Sequence, residues 1–187
     1  MLIFDNWVTA ALAYAGQGWP VVPLYPIDLN AAPDADGPRK GLYPCTCGRK
    51  PGADCSPGKH PRTEHGLTDA TTDVKIIAGW AEKWPVSNLA IITGAASGVV
   101  VLDVDPKHGG LQSIRDLTGT DIPGPSWGAL LIQRTGSSGY HLLFRHPDKT
   151  VRNRVGLRPG LDVRGDGGYI VVSPSNHESG GHYEWLT

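Results

Sequence analysis

The second half of the chain is a succession of short apolar segments with the length and boundaries of β-strands, and this pattern constrains the fold most. The segments "NLAIITG", "GVVVLDVDP", "ALLIQR", "YHLLF" and "GYIVVSP" follow one another, each bounded by Gly, Ser or Pro. Apolar spacing predicts helices over Asp5–Ala15 and Asp73–Lys83, the second capped by Thr71 or Thr72, and a short helix is expected around Leu111–Leu117. Helices followed by a strand-rich half predict an α+β protein with a mostly antiparallel or mixed sheet.

Size and composition are those of a globular protein with one substantial core. The chain has 187 residues, of which 40% are hydrophobic and 19% charged, and its 25 Gly and 16 Pro punctuate apolar runs instead of forming a low-complexity tract. No run is long enough to span a bilayer, and no basic segment precedes the apolar N-terminus. We therefore expect no membrane association and a cytoplasmic location with reduced cysteines.

The net charge of −1 hides a basic segment between residues 134 and 164. Two acidic residues there, Asp148 and Asp162, stand against seven basic ones: Arg134, Arg145, Lys149, Arg152, Arg154, Arg158 and Arg164. A surface that meets phosphates has this character. From charge alone, a solvated Arg-rich face is the slightly better explanation.

Two aspartates stand on one face of a strand that is otherwise apolar. In "GVVVLDVDP", alternation of side chains places Asp103 and Asp105 on the same side. Two neighbouring carboxylates repel each other, and a divalent cation between them removes the repulsion. Hard oxygen ligands suit Mg²⁺ or Mn²⁺. The alternative is that both carboxylates lie in solvent at a strand end, where Asp105 opens a turn.

A glycine- and serine-rich turn directly precedes a strand that carries a histidine. In "RTGSSGYHLLF", backbone amides with the hydroxyls of Ser137 and Ser138 could cradle a phosphate, and His141 just inside the strand could donate to it. A single histidine on a strand is more often a hydrogen-bonded structural residue. The candidate anion-binding turn before His141 favours the functional interpretation.

The segment "PGLDVRGDGGYIVVSPS" again places two charged residues on one face. Asp162 and Arg164 are two residues apart, so the first could complete a metal site and the second could bind a phosphate oxygen. Asp166, followed by two glycines, is typical of a tight hairpin turn, so we assign it a structural role.

A loop without helical or strand periodicity, residues 27–66, carries all three cysteines. Cys45, Cys47, Cys55 and His60 form a C-x-C-x7-C-x4-H array, which would close a tetrahedral zinc shell and stabilise a loop that lacks a core. His65 is a second candidate for the fourth position. Unbound surface thiols are the alternative. Nearby Lys59 and Arg62 could contact template or nucleotide phosphates, or lie on a solvated basic loop.

These motifs, in this order and over nearly the whole chain, resemble the bifunctional primase–polymerase N-terminal domain of phage and plasmid replication proteins, in the archaeo-eukaryotic primase superfamily. The resemblance implies an RRM-like catalytic module, about residues 96–187, packed against an N-terminal α/β module, about residues 1–95. Some relatives carry a comparable cysteine-rich insertion, which corresponds to a zinc-stabilised loop at residues 43–65. The chain is expected to be a fragment of a longer replication protein, since relatives often continue into a helicase.

The resemblance also implies template-directed nucleotidyl transfer on a primed single-stranded DNA template, with dNTP or NTP as substrate. Asp103 and Asp105 match the family's acidic pair, His141 its histidine and Asp162 its final aspartate, with the three aspartates as Mg²⁺ or Mn²⁺ ligands. Nucleotide phosphates would be bound by a set of basic, hydroxyl and backbone groups: Arg134, Ser137, Ser138, Gly139, His141 and Arg164. Without the helical segment that follows in relatives, extension is expected to be stronger than priming.

Two other functions fit parts of the sequence. A zinc-stabilised, single-strand nucleic-acid-binding module would use tryptophans as stacking platforms, although core positions are the simpler explanation for most of them: Trp19, Trp80, Trp84 and Trp127. A metal-dependent phosphoesterase would use paired aspartates to activate water.

Overall fold

The computed structural model describes residues 3–52, 55–121 and 128–187, and its helices agree with the sequence pattern except at one cap. Helix α1 spans Trp7–Gly16, α2 spans Val74–Lys83 and α3 spans Gly110–Thr118. The side chain of Asp73 accepts a hydrogen bond from the amide of Lys75 at 2.7 Å and caps α2. The predicted cap at Thr71 or Thr72 is therefore wrong, because Thr71 Oγ1 instead accepts from the amide of Asp73. Within the described residues, no helix has the length and apolar character needed to cross a membrane.

All five predicted strand segments form strands. The nine strands of the described residues are β1 Val21–Leu24, β2 Asn88–Ile92, β3 Val99–Val104, β4 Leu131–Arg134, β5 Tyr140–Arg145, β6 Arg154–Arg158, β7 Leu161–Arg164, β8 Tyr169–Val172 and β9 Glu184–Trp185. Short 3₁₀ helices lie at Gly37–Arg39, Gly66–Asp69 and Pro106–His108. The apolar pattern does not predict β6, which is mostly exposed, or β9, which has two residues.

The strands form two antiparallel sheets, as the α+β prediction requires. The small sheet has the order β1-β2-β8, and the large sheet has the order β6-β7-β3-β5-β4-β9. β8 follows β7 in sequence but pairs with β2, so the predicted hairpin turn at Asp166 is wrong and this segment crosses between sheets. The division of the chain near residue 95 stays a prediction, and β8 is a strand that crosses it.

Asp166 holds this crossing in place. Its Oδ1 accepts from the amide of Ala95 and its Oδ2 from the amide of Val151, both at 2.8 Å. A Cβ at Gly94 would lie 2.4 Å from the Asp166 Cα, so a side chain is excluded there. Asp166 thus has the structural role that its sequence context predicts.

Apolar side chains cover both faces of the large sheet. Its residues Val101 and Leu143 join the main core, which is built from α1, α2 and one face of the small sheet. On the opposite face, Val104, Leu142 and Leu161 pack with Ile114 of α3. The polar ends of β3, β5 and β7 lie beyond the main core, and a cleft opens there.

Candidate active site and metal centre

Strand register places four polar side chains in one row across the large sheet. Asp103 of β3 is the direct partner of His141 on β5 and of Asp162 on β7, and His141 is the partner of Gln133 on β4. Direct cross-strand partners project from the same face of an antiparallel sheet. Three residues that sequence reasoning selected from separate motifs are therefore neighbours.

Three members of this row, Asp162, Asp103 and His141, border a cleft of about 490 Å³. The residues around it that carry hydroxyl, charged or imidazole groups are Lys59, Asp103, Asp105, His108, Thr135, Ser137, His141, Asp162, Arg164 and Tyr183. The large sheet supplies the carboxylates, whereas Lys59 and Tyr183 come from outside its central strands. The cleft thus combines carboxylates, which can bind a divalent cation, with groups that can bind an anion.

A single guanidinium joins two of the carboxylates. Arg164 Nη2 donates to Asp103 Oδ2 at 3.1 Å and to Asp162 Oδ2 at 2.9 Å. The other oxygen of Asp162 accepts from the amide of Gly156 at 2.8 Å, and Gly156 lies at an irregularity in the pairing of β6 with β7, with φ of 65°. Two partly buried carboxylates at this position require a positive charge, and the structure supplies Arg164.

Asp105 lies at the end of β3 and caps the 3₁₀ helix that follows. Its Oδ1 accepts from the amide of Lys107 at 2.9 Å, and its Oδ2 lies 2.7 Å from His108 Nδ1. Partial burial acts to raise the pKa of Asp105, but these hydrogen bonds outweigh it and the pKa lies below the ordinary value. Asp105 is therefore an ionised carboxylate at the rim of the cleft, and it is also the turn residue that the alternative interpretation predicted.

His141 is almost completely buried between the row and Tyr183. The residue is 6% exposed, and its ring lies 6.1 Å from the ring of Tyr183. Burial lowers the pKa of His141; the charge of Asp103 opposes this effect, and Arg164 and Lys59 add to it. The imidazole is therefore neutral at physiological pH. Its Nε2 is 3.8 Å from Asp103 Oδ1, which is too long for a hydrogen bond.

The residues of the turn before β5 differ in their position relative to the cleft. Gly139 donates its amide to Thr135 Oγ1 at 2.9 Å, and a Cβ there would lie 2.5 Å from the carbonyl oxygen of Val104. The Gly139 amide is thus already engaged within the turn. Ser137 borders the cleft, whereas Ser138 is exposed with a positive φ of 69°. Arg134 forms an ion pair with Glu184 instead of bordering the cleft.

Sequence reasoning missed three residues that line the cleft, Thr135, His108 and Tyr183, and the buried Gln133 behind His141. A polar residue inside the apolar segment "ALLIQR" is a usable signal for Gln133, and the spacing of His108 three residues after Asp105 is one for a local pair. Nothing in the sequence pattern indicates Tyr183, since it comes from a loop that packs back on β8.

The cysteine-rich loop brings four ligand atoms together. The Sγ atoms of Cys45, Cys47 and Cys55 and one ring nitrogen of His60 lie within 4.8 Å of one another and could hold a metal ion. The cysteines are free thiols, with Cys47 Sγ and Cys55 Sγ 3.5 Å apart, and Cys45 and Cys55 are buried. Two of the three thiols are therefore not at the surface, unlike in the alternative interpretation, and Cys47 is half-buried.

The hydrogen bonds of the two histidines distinguish them as ligands. His60 Nδ1 lies 3.0 Å from the carbonyl oxygen of Ser56, so Nδ1 carries the proton, and Nε2 is buried without a hydrogen-bond partner. Metal-bound histidines show this arrangement. His65 is exposed and pairs with Asp69 at 3.1 Å. The cluster therefore contains His60 and not His65.

The cysteine-rich loop places Lys59 at the cleft. Tyr169 donates its hydroxyl to the carbonyl oxygen of Lys59 at 2.8 Å, and Asn88 Nδ2 donates to the carbonyl oxygen of Gly58 at 2.9 Å. Lys59 borders the cleft, directly before His60 in sequence. The geometry of the cysteine cluster and the position of this lysine are therefore linked.

Three of the tryptophans that could have been stacking platforms, Trp19, Trp80 and Trp84, pack against other side chains. Trp19 stacks on Tyr14, Trp80 packs against the main core, and the ring of Trp84 lies 4.8 Å from the guanidinium carbon of Arg62. Trp127 lies outside the described residues. The geometry agrees with core and packing roles for Trp19 and Trp80.

Comparison with known proteins agrees with the geometry of the cleft. A family profile described as the N-terminal domain of bifunctional DNA primase/polymerase matches residues 11–187. A comparison with curated proteins finds no match. The matched range contains every strand, the carboxylate row and the cysteine cluster. The chain therefore belongs to the bifunctional DNA primase/polymerase N-terminal domain family.

Proposed function

We propose that this domain is a DNA-dependent primase–polymerase of phage or plasmid replication, carrying out template-directed nucleotidyl transfer by a two-metal mechanism. The observation that carries the proposal is the row of Asp162, Asp103 and His141 beside a cleft with cationic groups. Family membership supports the reaction class.

Asp103, Asp105 and Asp162 would hold Mg²⁺ or Mn²⁺. The donor set fits such ions, because all three ligands are carboxylates and two of them already share a cation, Arg164. When bound, two divalent ions lower the charge barrier to attack of a 3′-hydroxyl on an α-phosphate.

The residues of the chain itself bind and orient the substrates. With Asp103 and Asp162 engaged as metal ligands, Arg164 would no longer be needed to compensate them and would bind a phosphate oxygen of the incoming nucleotide. Lys59 and the hydroxyl of Ser137 approach the same cleft from other sides. Neutral His141 donates from Nε2, which makes no hydrogen bond to Asp103. These groups align the α-phosphate with the primer.

The cysteine cluster would hold a structural Zn²⁺. Three thiolates and the Nε2 of His60 complete a tetrahedral shell, so no position remains for a substrate. The role of the metal is to stabilise the loop and to keep Lys59 at the cleft.

The template would lie along β6. This edge strand is mostly exposed, carries Arg154 and Arg158, and places Val155 and Gly156 at the cleft. Basic side chains on an exposed strand next to the cleft provide contacts to DNA phosphates. A helicase on the same full-length protein would supply the single-stranded template.

The test is extension of a labelled primer on a DNA template with dNTP or NTP and Mg²⁺ or Mn²⁺. We expect templated growth with the unchanged protein, none with Asp103→Asn, and full growth with Asp116→Asn, whose exposed carboxylate on α3 lies outside the cleft. Binding of single-stranded DNA by all three proteins without growth would replace the polymerase with a binding module. Release of phosphate or strand cleavage without growth would indicate a phosphoesterase.

A further inference from the structure

Gln133 is a polar side chain with no exposed surface, in the middle of an apolar strand. Its exposed fraction is 0%, and the preceding residue Ile132, on the opposite face of the strand, belongs to the core beneath α3. Burial of an amide is unfavourable unless its donors and acceptor are satisfied. Gln133 satisfies them through three groups on two other strands and the residue after β8.

The partners of Gln133 fix the orientation of its amide. The amide N–H of Ser173 can only donate, and it donates to Gln133 Oε1 at 2.8 Å. The carbonyl oxygen of Val171 can only accept, and it accepts from Gln133 Nε2 at 2.9 Å. If the oxygen and nitrogen were exchanged, the Gln133 amide group would face the donor of Ser173 with a donor and the acceptor of Val171 with an acceptor. The orientation is therefore determined by these two backbone groups.

The second hydrogen of Gln133 Nε2 points at His141. Gln133 Nε2 lies 2.9 Å from His141 Nδ1. Since the amide nitrogen is a donor, Nδ1 must accept, and the proton of the neutral imidazole must be on Nε2. His141 Nε2 is 3.8 Å from Asp103 Oδ1, so its N–H is left for a ligand in the cleft.

We propose that Gln133 is a positioning residue that holds His141 in the tautomer with Nε2 protonated, so that this N–H can donate to a phosphate oxygen of the nucleotide. The charged and hydroxyl groups that face His141 are Asp103 of β3, Arg164 of β7, Lys59 of the cysteine loop and Tyr183. None of them contacts Nδ1, so Gln133 alone sets the tautomer among the described residues. The nature of the ligand rests on the proposed function, but the tautomer does not.

The first test is nitrogen NMR of protein labelled with ¹⁵N-histidine at neutral pH, without nucleotide or divalent metal. We expect an unprotonated, hydrogen-bonded Nδ1 and a protonated Nε2 for His141, with its signals assigned by their loss in His141→Asn. A protonated Nδ1 in the unchanged protein overturns the proposal, and this measurement needs no variant of Gln133.

The second test compares Gln133→Met with Gln112→Met. Methionine preserves length but removes the donor, whereas Gln112 is exposed on α3 and bonds only to Asp116. We expect the Nδ1 signal of His141 to shift in Gln133→Met alone, at unchanged backbone spectra away from β4 and β5. An unshifted signal overturns the proposal.

Kinetics then connect the tautomer to the substrate. In Gln133→Met, KM for the nucleotide should rise about tenfold, the value of one hydrogen bond to a charged group, while kcat changes by less than about threefold. A shifted Nδ1 signal with unchanged KM overturns the phosphate-donor role. A protein that shows the expected signals but extends no primer retains the positioning role of Gln133 and loses the proposed function, so the two failures are distinguishable.

Discussion

Asp103 and Asp162 are direct partners on adjacent antiparallel strands, and Arg164 Nη2 donates to an oxygen of each carboxylate, at 3.1 and 2.9 Å. Arg164 is on the same strand as Asp162, two residues further on, so it lies on the same face of the sheet. Without a bound metal, the positive charge between the two carboxylates is therefore the guanidinium of Arg164. If the proposed divalent ions bind Asp103 and Asp162, they would compete with Arg164 for the same oxygens.

This competition predicts that Arg164→Gln destabilises the metal-free protein and enlarges its stabilisation by added metal. Without metal, loss of the shared donor leaves two neighbouring carboxylates uncompensated, and we expect a decrease of about 1–3 kcal/mol in the free energy of unfolding. Added Mn²⁺ should raise the melting temperature of the variant more than that of the unchanged protein. Differential scanning calorimetry with and without Mn²⁺ measures both effects. Arg145→Gln, an exposed residue at the end of β5, is the control, and an equal Mn²⁺ response in all three proteins contradicts the competition.

The cysteine cluster predicts one zinc ion per chain, held by His60 and not by His65. His60→Ala should lose the zinc and should melt at a lower temperature, because the loop has little apolar core of its own. His65→Ala should keep the ion, since His65 pairs only with Asp69 and Thr68 of the adjacent turn. Elemental analysis of the purified proteins measures the zinc content. Retention of zinc by the first variant together with loss by the second would exchange the roles of the two histidines.

Loss of zinc should also weaken nucleotide binding through Lys59. His60 follows Lys59 directly, and the carbonyl oxygen of Lys59 is held by Tyr169. We expect His60→Ala to raise KM for the nucleotide about as much as Lys59→Ala, with no additional increase in the double variant, because both changes remove the same contact. Primer-extension kinetics test this prediction. Additive increases would show that the loop affects the cleft by another route.

We expect position 139, in the turn before β5, to tolerate no side chain. A Cβ would lie 2.5 Å from the carbonyl oxygen of Val104 and 3.1 Å from Thr135 Oγ1. Gly139→Ala should therefore lower the free energy of unfolding by about 1–3 kcal/mol, as overpacking does, and should weaken nucleotide binding by displacing Ser137. Gly16→Ala at the end of α1, where a Cβ meets nothing within 4 Å, should be neutral or stabilising. Urea unfolding compares the two, and equal effects would contradict the steric argument.

Because His177 is buried, we expect the free energy of unfolding to fall as the pH is lowered. Burial lowers the pKa of His177 to about 4, against 6.5 for the free side chain. Below pH 6.5 the unfolded chain binds a proton that the folded protein does not bind, so stability is lost as the pH falls from 6.5 towards 4. At about pH 5, the resulting loss in the free energy of unfolding reaches about 1–2 kcal/mol. Urea unfolding at neutral and acidic pH should show a smaller loss for His177→Gln than for exposed His182→Gln, and equal losses would refute the assignment.

The sequence by itself determined the elements and the chemistry of the individual motifs. Apolar spacing located α1, α2 and the five main strands because local burial patterns follow the period of each element. The pairs Asp103 with Asp105 and Asp162 with Arg164, as well as the cysteine spacing, were visible because each lies within one short segment.

Only the tertiary structure decided how these segments meet. Asp103 and Arg164 are 61 residues apart, and the register that joins them depends on the pairing of β3 with β7. The transfer of β8 to the small sheet is likewise set by long-range pairing, as is the hydrogen bond from Gln133 to Val171 that helps to orient its amide towards His141. Local pattern specifies which face a side chain occupies, whereas its partner across the sheet is fixed by the packing of the whole chain.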